Sequence, residues 1–134
     1  MAAKKKKKPS VIPALTIQQP YVWSVIEGLV TAERRTGSID HRGPMAIISG
    51  RRYHDLPSRV KRYRDDFPDC PDPENLACGV IIGVIDLVDI WETDEPGMRF
   101  VWELRKPRKL KKPVEHTGSG TVVEIDAKLV GKLL

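Results

Sequence analysis

The spacing of apolar residues first indicates a helix near the start of the chain. The apolar positions there recur every three or four residues, at Val22, Val25, Ile26 and Leu29. This is the spacing of a helix with one buried face. Pro20 stands where a first helical turn tolerates proline, and Gly28 stands where a helix ends. We therefore predict a helix between Pro20 and Gly28, preceded by a short strand over residues 14–17.

The remaining apolar runs predict strands separated by polar loops. We predict strands over residues 45–49, 78–90, 100–104 and 121–125. The strand over residues 78–90 is the strongest, and Gly83 in its middle indicates a bulge or a sharp bend. A basic helix over residues 57–67 and a short final helix capped by Asp126 complete the elements.

These elements predict an α+β fold in a single domain over residues 11–134. Five or six short strands, a bent central strand and an early helix are typical of a small β-barrel with peripheral helices. The strands do not alternate regularly with helices, which argues against a doubly wound parallel sheet. A length of 134 residues suffices for one core without disulfides or metals.

Composition indicates where in the cell the protein is expected. Hydrophobic residues make up 40% and charged residues 31% of the chain, and no apolar run approaches the ~20 residues of a membrane span. The N-terminus has no apolar signal-peptide core. We expect a cytoplasmic monomer that does not contact membranes. Cys70 and Cys78 lack zinc spacing, so we predict free thiols, no metal and no cofactor.

The charges are strongly segregated along the chain. The net charge of +5 equals the contribution of Lys4 to Lys8. Residues 34–64 carry nine Lys/Arg against two acidic residues, residues 65–103 carry eleven acidic residues against one basic, and residues 105–112 carry six basic residues. The basic segments either converge into a phosphate-attracting face or form salt bridges with the acidic segment. Charge alone leaves both interpretations open.

Residues 1–10 are predicted to be disordered, because adjacent lysines repel one another and bury nothing. This lysine-rich tail is a nonspecific nucleic-acid arm, a solvated tail, or a nuclear import signal. The last case applies if the chain is eukaryotic, and the protein would then be nuclear.

Polar residues in the first half form the main candidate site. Thr31, Glu33 and Arg35 alternate, so an extended backbone places them on one face. The full set of candidate ligand-binding residues is Gln18, Gln19, Pro20, Trp23, Thr31, Glu33, Arg35, Arg42, Gly43 and Ser49. Amides read base edges, Arg forks bind phosphates or stack on bases, and a carboxylate accepts from an exocyclic amine. Alternatively, Glu33 forms a structural ion pair with Arg35 or Arg42.

Two further sets of residues supplement this site. Arg59, Arg62 and Lys109 are candidates for a basic, phosphate-binding face. The tryptophans Trp23, Trp91 and Trp102 are candidate stacking platforms. Core packing is the alternative for each, and we expect it for Trp102. Phosphate-binding Gly-rich loops, HExxH, paired CxxC and GxSxG motifs are absent from the sequence.

Five blocks in order resemble the ASCH domain family. They are residues 14–21 (ALTIQQPY), 28–35 (GLVTAERR), 41–47 (HRGPMAI), 78–89 (CGVIIGVIDLVD) and 100–104 (FVWEL). Pro107, Pro113 and either Gly118 or Gly120 resemble the closing segment of that family. The resemblance implies a PUA-like β-barrel with a cleft beside the first helix, associated with RNA.

The resemblance also bears on catalysis. Some ASCH-like proteins are amidohydrolases acting on acetylated cytidine, or ribonucleases, and the amidohydrolase type depends on a lysine in a Gly-x-Lys-Thr segment. The matching residue here is Val30, which cannot donate a proton or act as an amine nucleophile. A nearby cation such as Arg34 or Arg51 is the candidate substitute.

These observations lead to three hypotheses about function. We predict an RNA- or nucleotide-binding module rather than an enzyme. The first alternative is a nucleoside amidohydrolase or ribonuclease with Glu33 as general base and Thr31 beside it. The second is an adaptor that binds a protein partner.

Overall fold

A computed structural model describes residues 10–54, 56–116 and 122–134. The predicted tail therefore lies outside the described residues except for Ser10, as do Asp55, Gly118, Gly120 and Thr121. Within the described ranges there are six strands: β1 (Val11–Gln19), β2 (Ala32–Arg35), β3 (Gly43–Tyr53), β4 (Val80–Glu92), β5 (Phe100–Glu115) and β6 (Val122–Asp126). The helices are α1 (Tyr21–Ile26) and α2 (Pro57–Asp66), with short 3-10 helices at Pro73–Asn75 and Ala127–Leu133.

The strands form one mixed sheet in the order β2-β5-β4-β3-β1-β6. Strands β1 and β3 run parallel, and the other neighbours run antiparallel. The sheet curls until the loop after β2 approaches β6, since Ile39 and Val122 line one pocket. The described parts of β2 and β6 do not pair, so the sheet stays open along this seam. An α+β fold with six strands is confirmed, whereas the predicted closed barrel is not what the strand pairing shows.

The curled sheet carries apolar residues on both faces. We call the concave side of the curled sheet, on which α1 packs, the inner face. Its core consists of Val22 and Val25 of α1 and the sheet residues Leu15, Ile17, Met45, Ile47, Ile85, Leu87, Trp102 and Leu104. The back face is covered by the final 3-10 helix, through Ala127 and Val130. Trp102 is only 2% exposed, so the prediction that it belongs to the core is confirmed.

Gly83 provides the bend expected in β4. The pairing registers with both β3 and β5 shift next to it. A Cβ atom at this position would lie 2.1 Å from the carbonyl oxygen of Arg108 and 2.9 Å from the side chain of Ile26. Only glycine lets the neighbouring strand and α1 approach so closely. The sequence prediction is confirmed, with close backbone approach as its cause.

Strand β5 extends to Glu115, well beyond the predicted end at residue 104. The additional stretch contains Pro107 and Pro113, although proline lacks the backbone N–H that strand pairing uses. Strand β2 pairs only with residues 100–103 of β5. Beyond that stretch one edge of β5 has no paired strand among the described residues, so proline is tolerated there. The positive φ of Lys106 (55°) marks the local irregularity.

The helices agree closely with the sequence pattern. Helix α2 has a proline in its first turn and buries only Tyr63; Arg59, Lys61 and Arg62 are exposed, whereas Arg64 is half-buried and donates to the Pro71 carbonyl. Asp126 caps the final 3-10 helix, because its carboxylate accepts a hydrogen bond of 2.9 Å from the backbone N–H of Lys128. Among the described helices, none has the length and apolar character needed to cross a bilayer.

Candidate functional site

The register of the strands separates two ends of the sheet. Glu33 lies opposite Trp102, which lies opposite Ile90 near the end of β4; we call this the pocket end. Ser49 lies opposite Val80, the first residue of β4; we call this the basic end. Ten residues of strand separate Val80 from Ile90, a path of about 33 Å before bulges and curling shorten it.

The predicted site residues are divided between these two ends. Thr31, Glu33, Arg35, Arg42 and Gly43 belong to β2 and the start of β3, at the pocket end. The rest belong to the ends of β1 and β3 and to α1: Gln18, Gln19, Pro20, Ser49 and Trp23. The structure therefore brings each group together locally, but it does not join the two groups into one cleft.

Glu33 and Arg35 form the central pair of the pocket end. The Arg35 guanidinium lies 3.5 Å from a Glu33 carboxylate oxygen, and the two side chains are 16% and 22% exposed. Directly opposite strand residues share a face, so both side chains lie on the inner face with Trp102 and Phe100. The predicted alternation of Glu33 and Arg35 is confirmed, and so is the expected ion pair.

Burial makes the Glu33 carboxyl a weaker acid than an exposed glutamate. Removal from water raises the pKa of Glu33 above its ordinary value, and the charge and hydrogen bonding of Arg35 oppose that rise. Burial disfavours the charged carboxylate, and a neighbouring cation favours it. Because the net direction is upward, desolvation outweighs the pairing with Arg35. The carboxyl therefore takes up a proton more readily than an exposed glutamate does.

A pocket opens beside this pair. It has a volume of about 130 Å³ and is lined by Arg35, residues 36–39, Trp102 and Val122. The Trp102 indole N–H donates a 2.9 Å hydrogen bond to the carbonyl of Gly37, which anchors the loop that forms the wall. A groove of about 400 Å³ adjoins it, since Ile39 and Val122 line both. Together they fall within the ~300–1,000 Å³ typical of ligand sites.

Arg42 lies outside this pocket. Its guanidinium donates to the carbonyls of Ile39 (2.8 Å) and His41 (2.9 Å) and lies 3.9 Å from the carboxylate of Asp89. Asp89 precedes Ile90 on β4, so the two side chains point to opposite faces. Arg42 thus fixes the loop from the exterior. Gly43 follows with a φ of 108°, a conformation that favours glycine.

The position that matches the amidohydrolase lysine in the ASCH resemblance is apolar in structure as well as in sequence. Val30 packs against the inner-face core. The guanidinium nearest its neighbour Thr31 belongs to Arg105, which donates to the Thr31 carbonyl at 3.2 Å and pairs with Glu103 at 2.6 Å. Arg34, considered as a substitute, instead pairs with Glu95 at 2.5 Å. The other substitute, Arg51, lies at the basic end.

The amides of the basic end are held by the protein itself. The side-chain Oε1 of Gln18 lies 3.1 Å from the His54 Nδ1. Gln19 is 3% exposed, and its amide donates to the Ala77 carbonyl at 3.0 Å. Its own Oε1 has no partner among the described residues, although buried polar atoms usually have one. The Ser49 hydroxyl is fully buried and contacts the Val80 carbonyl at 3.4 Å, so it does not face a ligand.

An aromatic cluster, missed by the sequence analysis, joins α1 to α2. The ring of Tyr21 lies 5.2 Å from the ring of His54 and 5.1 Å from that of Tyr63, edge to face in both cases. Trp23 contacts Phe67 edge to face at 6.5 Å, so it packs between the helices. The inward positions of Tyr63 and Phe67 were the available signal, but the strand pairing that brings α1 near them is not local.

Salt bridges neutralise part of the predicted basic face. Lys109 lies 2.7 Å from Glu27 of the α1 C-terminus. Arg108 lies 2.9 Å from Asp86 and also donates to the carbonyl of Leu133. In contrast, Arg59 and Arg62 are exposed on α2, with no carboxylate of the described residues within 4.0 Å. Lys109 therefore does not share a surface role with these two arginines.

The two thiols are not poised for chemistry. Cys70 is buried and Cys78 half-buried, and both are free. Burial raises the pKa of both thiols, with the Arg64 charge opposing the rise at Cys70. A thiol with a raised pKa holds little nucleophilic thiolate at neutral pH. The prediction of free cysteines is confirmed.

No protein-family model matches the chain, and no curated protein matches it in sequence. The resemblance to ASCH domains therefore depends on the five blocks of the sequence alone.

Proposed function

We propose that the chain is an RNA- or nucleotide-binding domain of the ASCH type, with a PUA-like fold, which holds a nucleobase at the pocket end. One observation carries this proposal: Arg35 lines the pocket, and the Glu33 carboxylate forms an ion pair with its guanidinium. An arginine fixed in this way presents its remaining donors in one geometry, which suits a planar ligand with acceptors on its edge.

The walls of the pocket suit a base edge. Residues 36–38 contribute a loop whose backbone is anchored by Trp102. Backbone N–H and C=O groups can form the hydrogen bonds that distinguish one base edge from another. A space of about 130 Å³ admits a single ring, and the adjoining groove of about 400 Å³ leaves room for the attached sugar. This division of space fits a nucleoside or the end of a nucleic-acid strand.

The open seam provides an entrance to the pocket. Six strands curl around the inner face, and Ile39 of the loop after β2 lines the same groove as Val122 of β6. A barrel that is incomplete at one seam leaves a concave opening there. The pocket lies in that opening, which is where a ligand can enter without disturbing the core.

Nucleoside binding measured by calorimetry and by NMR shift perturbation tests the proposal. We expect one or more members of a panel of nucleosides and mononucleotides to bind, and Arg35→Ala to weaken binding by at least about tenfold, the loss of roughly one charge-assisted hydrogen bond. Arg34→Ala is the matched control, because Arg34 lies on the opposite face of β2. Equal binding by wild type and Arg35→Ala would exclude this pocket as the site.

The raised pKa of Glu33 favours one second candidate, a hydrolase with Glu33 as general base. A carboxylate whose pKa moves toward neutrality is a better proton acceptor. Val30 supplies no amine, and Arg105 beside Thr31 stays protonated, so proton transfer would depend on Glu33 alone. Turnover of N4-acetylcytidine or RNA by the wild type, abolished in Glu33→Gln, would establish this activity. A panel with no turnover would count against it.

A further inference from the structure

We propose that the basic end holds the phosphate backbone of single-stranded RNA on four arginines: Arg51, Arg52, Arg59 and Arg62. This inference rests on the proposed function and adds a second contact surface. It assigns phosphates to one end of the sheet and the nucleobase to the other. The sequence analysis had assigned Arg59, Arg62 and Lys109 to a phosphate-binding face; the inference keeps the two arginines, adds Arg51 and Arg52, and omits Lys109, which pairs with Glu27.

Charge pairing singles out these four residues. Residues 34–64 contain nine Lys/Arg. Five of them have a carboxylate within 4.0 Å, namely Arg34, Arg35, Arg42, Lys61 and Arg64. The other four have no such partner within residues 10–54, 56–116 and 122–134. Asp55, which lies between Arg52 and Arg59 in sequence, is outside these ranges. Two acidic residues at the far end of α2 and after it, Asp65 and Asp72, pair with Lys61 and Arg64.

The fold gathers the four arginines around one corner of the molecule. Arg51 and Arg52 are exposed near the end of β3, and α2 begins at Pro57. The ring of Tyr21 contacts both His54, just after β3, and Tyr63 on α2. Arg59 precedes Tyr63 by four residues on α2, so it lies one helical turn from the residue whose ring contacts Tyr21. Arg59 and Arg62 are three residues apart and share a helix face.

The surroundings of this corner suit a phosphodiester chain. Gln18 is exposed next to it, and His54 engages only its carbonyl oxygen, so its amide N–H groups remain available as donors. Arg51 also lines a concave surface of about 440 Å³ with Cys78, Gly79, Val80, Pro113 and Glu115. Exposed arginines without carboxylate partners release counterions when they meet phosphates, and this release drives binding. The cations of the pocket end are already paired with carboxylates, so we expect them to release fewer counterions on meeting a phosphate.

Salt dependence gives a direct test. Each phosphate contact on a single strand contributes about −0.7 to the slope of log K against log salt concentration. We would measure fluorescence anisotropy of an unstructured RNA of about 12 nucleotides between about 50 and 200 mM salt. The double variants Arg51→Gln with Arg52→Gln, and Arg59→Gln with Arg62→Gln, should each reduce the slope by about 1.4. This equals about a sevenfold change in relative affinity across that range.

The matched control is Lys128→Gln with Lys132→Gln, which removes the same charge from exposed positions of the final 3-10 helix. We expect its slope to stay within about 0.3 of the wild type, and all variants to keep the wild-type melting temperature. Equal slopes for the control and the arginine variants, or no change in the arginine variants, would overturn the assignment to this corner. The lysine tail contributes equally to every variant.

The nucleoside assay separates this inference from the function on which it rests. If the wild type binds nucleosides through Arg35 but binds RNA without a salt slope, the phosphate surface is refuted and the pocket stands. If Arg35→Ala loses nucleoside binding while keeping the RNA slope, two separate surfaces are supported. If the wild type binds neither nucleosides nor RNA, both proposals fail.

Discussion

The pocket end and the basic end of the sheet differ in how completely their cations are paired with carboxylates, although Lys61 and Arg64 of α2 are also paired. At the pocket end cations face carboxylates: Arg34 with Glu95, Arg35 with Glu33, Arg42 with Asp89, Arg99 with Glu92, and Arg105 with Glu103. At the basic end Arg51, Arg52, Arg59 and Arg62 have no carboxylate partner within the part of the chain that the structure describes. Salt bridges with the acidic segment are therefore confirmed at the pocket end, and the phosphate-binding interpretation is our proposal for the basic end.

This contrast has a simple topological origin. The acidic segment includes the last residues of β4 and the connection to β5, which lie against β2 and the start of β3. Its carboxylates consequently neutralise the cations of that end. The end of β3 and the start of α2 lie at the opposite end of β4, and the acidic residues paired there, Asp65 and Asp72, are bound to Lys61 and Arg64. A neutralised end suits an uncharged base, and an uncompensated end suits phosphates.

Removing the bend between the two ends should have the largest effect, because both ends depend on it. Gly83→Ala places a Cβ 2.1 Å from the Arg108 carbonyl oxygen. We expect a loss of about 3 kcal/mol or more in the free energy of unfolding, at the upper limit of overpacking effects. Chemical denaturation would measure it. Gly131→Ala is the control, since its Cβ meets no atom within 4 Å. Similar losses in both variants would contradict the close approach at Gly83.

The pocket end alone should respond to Trp102→Phe. The substitution keeps an aromatic core residue but removes the hydrogen bond to Gly37 and leaves a small cavity. We expect about 2 kcal/mol less stability and weaker nucleoside binding, because the pocket loop loses its anchor. The salt slope of RNA binding should not change. Trp91→Phe, at a side chain 45% exposed, is the control and should cost under about 0.5 kcal/mol. A change in salt slope for Trp102→Phe would link the two ends.

Local patterns predicted most elements of the fold. The apolar spacing before Gly28 gave α1, and the glycine within a Val/Ile-rich run gave the bend of β4. The predicted strand over residues 100–104 covers only the first part of β5, whose remainder contains Pro107 and Pro113. Their tolerance depends on a free strand edge beyond the short β2, which is a property of the assembled sheet. The open seam was likewise invisible, since barrel closure depends on pairing between distant strands.

The candidate site shows the same division between local and distant information. Alternation along one strand was enough to place Glu33 and Arg35 on the same face. The sequence did not indicate that Gln18 and Ser49 lie at the other end of the sheet, because their position there depends on the parallel pairing of β1 with β3. The loss of Lys109 to an ion pair with Glu27 was hidden for the same reason.

The pH dependence of stability should distinguish the buried pair of the pocket end. The pKa of Glu33 is raised in the folded protein, so the unfolded chain releases this proton at lower pH. Stability from this group is present at low pH and is lost as pH rises through the folded pKa. In Glu33→Gln this loss disappears, so the melting temperature of the variant should gain on the wild type as pH rises from about 4. Glu124→Gln, at an exposed residue of β6, is the control. A constant difference across pH would argue against a desolvated carboxyl at Glu33.

The smallest effect should come from removing a cation that is already paired and exposed. Arg34 and Glu95 are 52% and 59% exposed, so Arg34→Gln should change the free energy of unfolding by less than about 0.5 kcal/mol. Because Glu95 already neutralises Arg34, the RNA salt slope should also change by well under the ~0.7 expected for one phosphate contact. Arg59→Gln, which removes one unpaired charge, is the direct comparison under the same salt conditions. If both single variants lowered the slope equally, the charges of the two ends would act on RNA as one field. Ion pairing would then not be what separates them.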